Sequence, residues 1–242
     1  MSTRAILPVK VSLTAGDFYT LWAPTWKEKG SEWQAFLGDD ESVLAFHSPE
    51  ELLVFLNTTA QHDLTDHPKW ANFQAQADDR VVPSEKQYYD IVGAPNFLAD
   101  RPSHGNVSQL SRVLQLSRSL AEVANAEQAQ IFFASHSILA NVARGSEHYS
   151  GDAGLDEWSG VGRVVLANWE NVVHSLDGAV RVVETNELDA DAVASAGTAI
   201  TAAQEERARR REEQQKQEVA QAAAEDPYDV SPWATAGIDP VK

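Results

Sequence analysis

There is no cysteine among the 242 residues, which removes disulfide stapling, thiol nucleophiles and thiolate zinc sites together. Nowhere do the roughly 18 consecutive apolar residues of a membrane-spanning helix occur. No positively charged start leads into an apolar run, as a secretory signal would require. The expectation is a protein that is neither secreted nor inserted in a membrane, and a chain without cysteine fits a reducing cytoplasm. Basic residues are also scarce, with 19 Lys and Arg against 36 Asp and Glu and a formal charge of -17. Such a field repels phosphate backbones and anionic lipid surfaces and keeps the chain in solution. Nucleic acid is therefore a poor partner, and basic or neutral proteins are better ones. A glycine-rich phosphate loop, a dinucleotide fingerprint, a serine elbow and a paired-histidine metalloprotease motif are all missing. The expectation is a non-catalytic protein.

What remains is an ordinary globular inventory, 43% hydrophobic, arranged in stretches of different period. Val9, Val11 and Leu13 alternate with Lys10 and Ser12, the period of a strand. The turn Thr14–Asp17 follows, then three aromatic-rich segments, Phe18–Trp22, Trp33–Leu37 and Val43–Phe46. These predict a small antiparallel sheet. Ser48-Pro49-Glu50-Glu51 carries a capping hydroxyl, a first-turn proline and two acids at the positive end of a helix dipole. Asp66-His67-Pro68 reads as the cap of a further short helix, and Gln87–Val92 as one more strand. Residues 1–100 thus read as a small α+β domain.

From Asn106 the apolar spacing becomes helical. Leu110, Val113, Leu114, Leu120 and Val123 mark a first helix, and Ile131, Phe132, Ile138, Leu139 and Val142 a second. Leu155, Trp158, Val161, Val165, Trp169, Val172, Leu176 and Val180 mark a third, with Gly162 small enough for a close helix crossing. Residues 101–185 read as a helical subdomain packed on the first. In residues 186–225, Glu205 and Arg209, Glu206 and Arg210, and Glu212 and Lys216 stand four apart, as on a solvated, charged helix. Residues 226–242 read as a flexible tail carrying an isolated Trp233 and Ile238.

Two clusters could carry chemistry. His62, Asp63, Asp66 and His67 place two imidazoles and two carboxylates within six residues, a possible divalent-metal set, although helix capping and turn formation account for the same residues. Glu147, His148 and Tyr149, followed by Asp152, Asp156 and Glu157, could form an acid/base group, but Gly145, Gly151 and Gly154 mark a loop entering the third helix. Arg209-Arg210-Arg211 is neutralised by Glu205, Glu206, Glu212 and Glu213. Trp22, Trp26, Trp33 and Phe36 are candidates for an exposed protein-binding patch, although strand alternation must turn half of them inward. Trp233 and Ile238 are candidates for an anchor that docks either on a partner or back onto the chain's own domain.

The run Val11–Pro24, with Trp26 and Glu32-Trp33-Gln34-Ala35-Phe36-Leu37-Gly38, resembles the amino-terminal part of the SatS family of mycobacterial export chaperones. Asp63-Leu64, Asp66-His67-Pro68, Trp70, and Glu147-His148-Tyr149 with Gly151 extend the likeness over about residues 6–185. The resemblance implies an actinobacterial, cytoplasmic, cofactor-free chaperone that binds and protects proteins bound for export by the accessory SecA pathway. Its partners would be those export substrates or the accessory SecA machinery. It also implies that the client-holding grooves lie in a separate carboxy-terminal domain, where this chain has only a charged helix and a tail. The alternative is an adaptor that docks partners through its folded part and its tail without holding unfolded clients.

Overall fold

The hydroxyl of Ser48 accepts a hydrogen bond from the backbone N–H of Glu51 at 3.2 Å, so the capping signal in the sequence is used as written. With Pro49 at its first position it starts helix α1, Pro49–Thr58, which buries Leu52, Leu53, Val54 and Leu56. The computed structural model describes residues 5–28, 30–39 and 42–224. Residues through Ile200 form one unit and those from Thr201 a second.

Four strands make the main sheet: β1 (Leu7–Leu13), β2 (Gly16–Glu28), β3 (Ser31–Phe36) and β5 (Tyr88–Tyr89), in the order β3-β2-β1-β5. Strands β1, β2 and β3 pair antiparallel as their turns demand, with Val11 opposite Phe18 and Trp22 opposite Phe36, whereas the third aromatic-rich segment, Val43–Phe46, meets them only through the isolated bridges Gly38–Val43 and Tyr19–Phe46. The sheet is nevertheless mixed, because β5 lies parallel to β1. Strand β4 (Val43–Ala45) pairs in parallel with β6 (Val180–Val182), with Leu44 opposite Arg181. Val180, expected at the end of the third helix, is therefore the first residue of a strand. Parallel partners are joined through long crossovers, so local turn signals cannot announce them.

Alternation gives each face of the sheet its own core. Val9, Val11 and Leu13 of β1, Phe18 and Trp22 of β2 and Phe36 of β3 face helices α4 (His104–Val123), α5 (Glu127–Ser135) and α6 (Gly151–Asp177). Leu21, Ala23, Leu37, Leu44 and Phe46 face the other way, onto α1, the short helices α2 (Trp70–Gln74) and α3 (Ala77–Arg80), and the first turns of α7 (Ala190–Ala224). The class is α+β, with helices on both faces of a small sheet.

The second expected helix breaks at His136. Residues Ser137–Arg144 continue as a 3-10 segment, and Ile131 is half exposed rather than buried. Helix α6 keeps its expected face, burying Trp158, Val161, Val165, Trp169, Val172 and Leu176. Its tight glycines are different from the one anticipated. A Cβ on Gly162 would meet nothing within 4 Å, whereas one on Gly154 would lie 2.4 Å from the backbone of Tyr149. The early turns of α7 are not solvated, since Ala196 and Ile200 are buried. Over residues 201–218 of the second unit α7 is mostly exposed, and Glu206 there pairs with both Arg209 and Arg210.

Candidate functional site

Two of the four aromatic candidates belong to the core. Trp22 and Phe36 are register partners whose rings stack 5.9 Å apart, both are buried, and the edge of Tyr89 closes over Trp22. An exposed binding patch cannot include them, because alternation turns both toward α4 and α6. Trp33 is exposed on the edge strand β3. Its register partner is Trp26, set there by a one-residue shift between Ala23 and Trp26. Pro24 lies in that shift, where a strand tolerates a residue without an N–H. Trp233 and Ile238 lie outside the described residues.

The histidine cluster serves the backbone. His62 Nδ1 accepts the N–H of Leu64 at 3.2 Å, and His67 Nδ1 accepts that of Lys69 at 3.1 Å. The His62 ring stands edge-on to Trp70 at 4.3 Å, and burial lowers its pKa. Asp63 and Asp66 are exposed. Helix α2 begins only at Trp70, after Lys69, so Asp66 does not cap it as expected. Residues 62–70 form successive turns closed by the carbonyls of His62, Leu64 and His67, with the two imidazoles accepting the N–H groups of Leu64 and Lys69. Among the described residues, no group of three His, Cys, Asp or Glu could hold a metal ion.

The second cluster joins a loop to α6. His148 Nε2 meets both carboxylate oxygens of Glu157, at 3.0 and 3.1 Å, and the side chain of Asn141 donates to Glu157 Oε1 at 2.6 Å. These hydrogen bonds, from His148 first and then Asn141, hold the Glu157 carboxyl below its ordinary pKa. Tyr149 beside it is buried with its hydroxyl unpartnered, and burial raises its pKa to about 12. Asp152 and Asp156 are exposed on the first turns of α6. The arrangement locks the entry to α6 and leaves its hydroxyl closed to reactants.

A more open feature lies at the far end of α6. Leu166 is 70% exposed and Val92 44% exposed, and both line one groove of about 530 Å³. Trp169 forms the floor, where its indole N–H donates to the carbonyl of Ile91 at 2.7 Å. Pro95 continues the apolar wall, while Glu170 and Asp177 supply acidic groups. One oxygen of Asp177 accepts the N–H of Thr14 at 3.1 Å, which fixes the β1–β2 turn at the mouth. The sequence reading missed Leu166, although it was visible as the aliphatic residue of α6 that falls off the buried stripe. No helix among the described residues is long and apolar enough to cross a membrane.

A family model described as the SatS C-terminal domain matches residues 6–177. The chain is also similar to a crystal structure of a SatS C-terminal domain in complex with bromine. The two are 19% identical with a TM-score of 0.50, over 74% of this chain and 94% of that one, a likeness of fold. Comparison with curated proteins finds no match. The family expectation holds, but the domain differs: the match is to the C-terminal domain and not to an amino-terminal part. Aromatic β-strand motifs identify a lineage without indicating where in a longer relative they fall.

Proposed function

The chain belongs to the SatS C-terminal domain family, and on that premise we propose that it is a non-catalytic, cytoplasmic, chaperone-like protein. It holds apolar segments of proteins awaiting export through the accessory SecA pathway, and it needs no cofactor. The observation that carries this reading is the exposure of Leu166 and Val92 on one groove. Large aliphatic side chains kept in water beside an aromatic floor are the surface that an unfolded client can cover. The resemblance assigned client-holding grooves to the carboxy-terminal domain, and that is the domain which the chain matches.

The acids on the groove favour a particular client chemistry. Glu170 and Asp177 attract Lys or Arg flanking an apolar stretch, and the net charge of -17 keeps the loaded complex in solution. Burying a Leu side chain contributes about 1.5–3 kcal/mol, so Leu166→Asp weakens client binding by roughly tenfold or more. The test is suppression of aggregation of an unfolded export substrate at equimolar protein. Wild type slows aggregation and Leu166→Asp, altered at an exposed position, does not. Equal protection by the two proteins would sink the proposal.

A further inference from the structure

The family match stops at Asp177, the last residue of α6, and residues 178–200 follow it back across the domain. They do two things there. Strand β6 adds in parallel to the edge of β4, extended by Val183, whose N–H donates to the carbonyl of Ala45 at 2.9 Å. The first turns of α7 then lay Ala192, Val193, Ala196 and Ile200 on the core that contains α1. The polar anchors of this strap are few. Thr185 Oγ1 donates to Glu51 at 2.7 Å, while Arg181 meets Asp39 at 3.2 Å and Glu187 at 3.6 Å in exposed ion pairs of little strength.

A groove also runs alongside the strap. It measures about 550 Å³ and lies between α1, the α2–α3 segment and the first turns of α7, where the strap presents only Ala192, Ser195, Ala196 and Ala199. Leu53 and Val54 lie buried at the bottom of this groove, and the small side chains of the strap beside it contribute little apolar contact of their own. A strand edge beside an apolar helical face is a docking surface for an extended segment that continues as a helix.

Resting on the client-holding reading, we infer that this surface is a second client site and that residues 178–200 occupy it as an exchangeable strap. The client it fits has the strap's own chemistry: alternating β-branched residues, a short polar link, then a helix with a stripe of small and apolar side chains. Release of the strap opens the β4 edge and the α1 face together.

The absence of cysteine gives a clean experiment. A Cβ on Gly197 would lie 3.5 Å from Glu50 Cγ, so Glu50→Cys with Gly197→Cys places two thiols to fasten α7 to α1. The probe is a fluorescent peptide of residues 178–200, added to the full chain with the thiols reduced or oxidised, and to Ile200→Asp. Reduced protein takes up the peptide at least tenfold better than oxidised protein, and Ile200→Asp takes it up better than wild type. Native-state amide exchange supplies the second reading: the amides of 180–183 and 193–200 exchange at least a hundredfold faster than those of Val165–Trp169, and oxidation slows them. Equal peptide uptake in both redox states, or strap amides as slow as those of α6, overturns the inference. Because the peptide is the chain's own sequence, strap exchange without protection of clients sinks the functional proposal alone. Protection that is indifferent to the disulfide sinks the strap alone.

Discussion

The indole N–H of Trp169 donates to the carbonyl of Ile91 at 2.7 Å, tying α6 to the segment after β5 across 78 positions of sequence. The same ring is the floor of the Leu166 groove. Trp169→Phe leaves the Ile91 carbonyl with only the backbone N–H of Ala94 at 3.2 Å and removes part of a packed ring, a loss of about 1–3 kcal/mol. Chemical denaturation measures it. A loss below about 0.5 kcal/mol would show that the bond does not hold the groove floor.

Tyr149 is the converse case. Its hydroxyl is buried with no partner, so Tyr149→Phe removes a desolvated polar atom while keeping the ring against Trp158 at 4.9 Å. The expected result is unchanged or higher stability, by up to about 1 kcal/mol. A clear decrease in the denaturation midpoint would mean that the hydroxyl is satisfied in solution.

Glycine positions in α6 separate packing from propensity. Gly154→Ala drives a methyl into the Tyr149 backbone at 2.4 Å and destabilises by about 1–3 kcal/mol. Gly162→Ala finds open space and raises stability by about 0.8–1 kcal/mol through helix propensity. Thermal unfolding of the two variants should shift in opposite directions. The same direction for both would contradict the close contact between Gly154 and Tyr149.

His62 makes stability depend on pH. Burial lowers its pKa below the ordinary 6.5, so as pH falls through 6.5 the unfolded chain takes up a proton that the folded chain still refuses. Unfolding is thereby favoured, and stability drops progressively down to the folded-state pKa. His62→Gln keeps polar capacity without titration in this range and should flatten that part of the profile. Identical midpoint-against-pH curves for wild type and variant would remove His62 as the cause.

How far the sequence could be read follows the range of each interaction. The β1–β3 strands, the Ser48 cap and the stripe of α6 depend on neighbours a few residues away, and they stand where the pattern put them. The parallel pairs β1–β5 and β4–β6 join residues far apart, and no local signal marks them. Asp66 does not cap because a series of backbone-closed turns through His67 delays the helix to Trp70. Trp22 looked like a surface anchor because alternation gives two faces without saying which is covered, and here both are. The groove was hidden for a related reason: Val92 and Leu166 converge only after β5 and α6 are packed.

The pairing of Val43 with Val180 also sets an order of events during synthesis. As the chain leaves the ribosome from its amino end, β4 emerges with its outer backbone bare and stays so while the next 135 or so residues are made. Only when Val180–Val182 arrive is that edge closed. Throughout that interval a nascent copy carries an open strand that a neighbouring nascent chain could pair with, and the arrival of β6 ends this exposure.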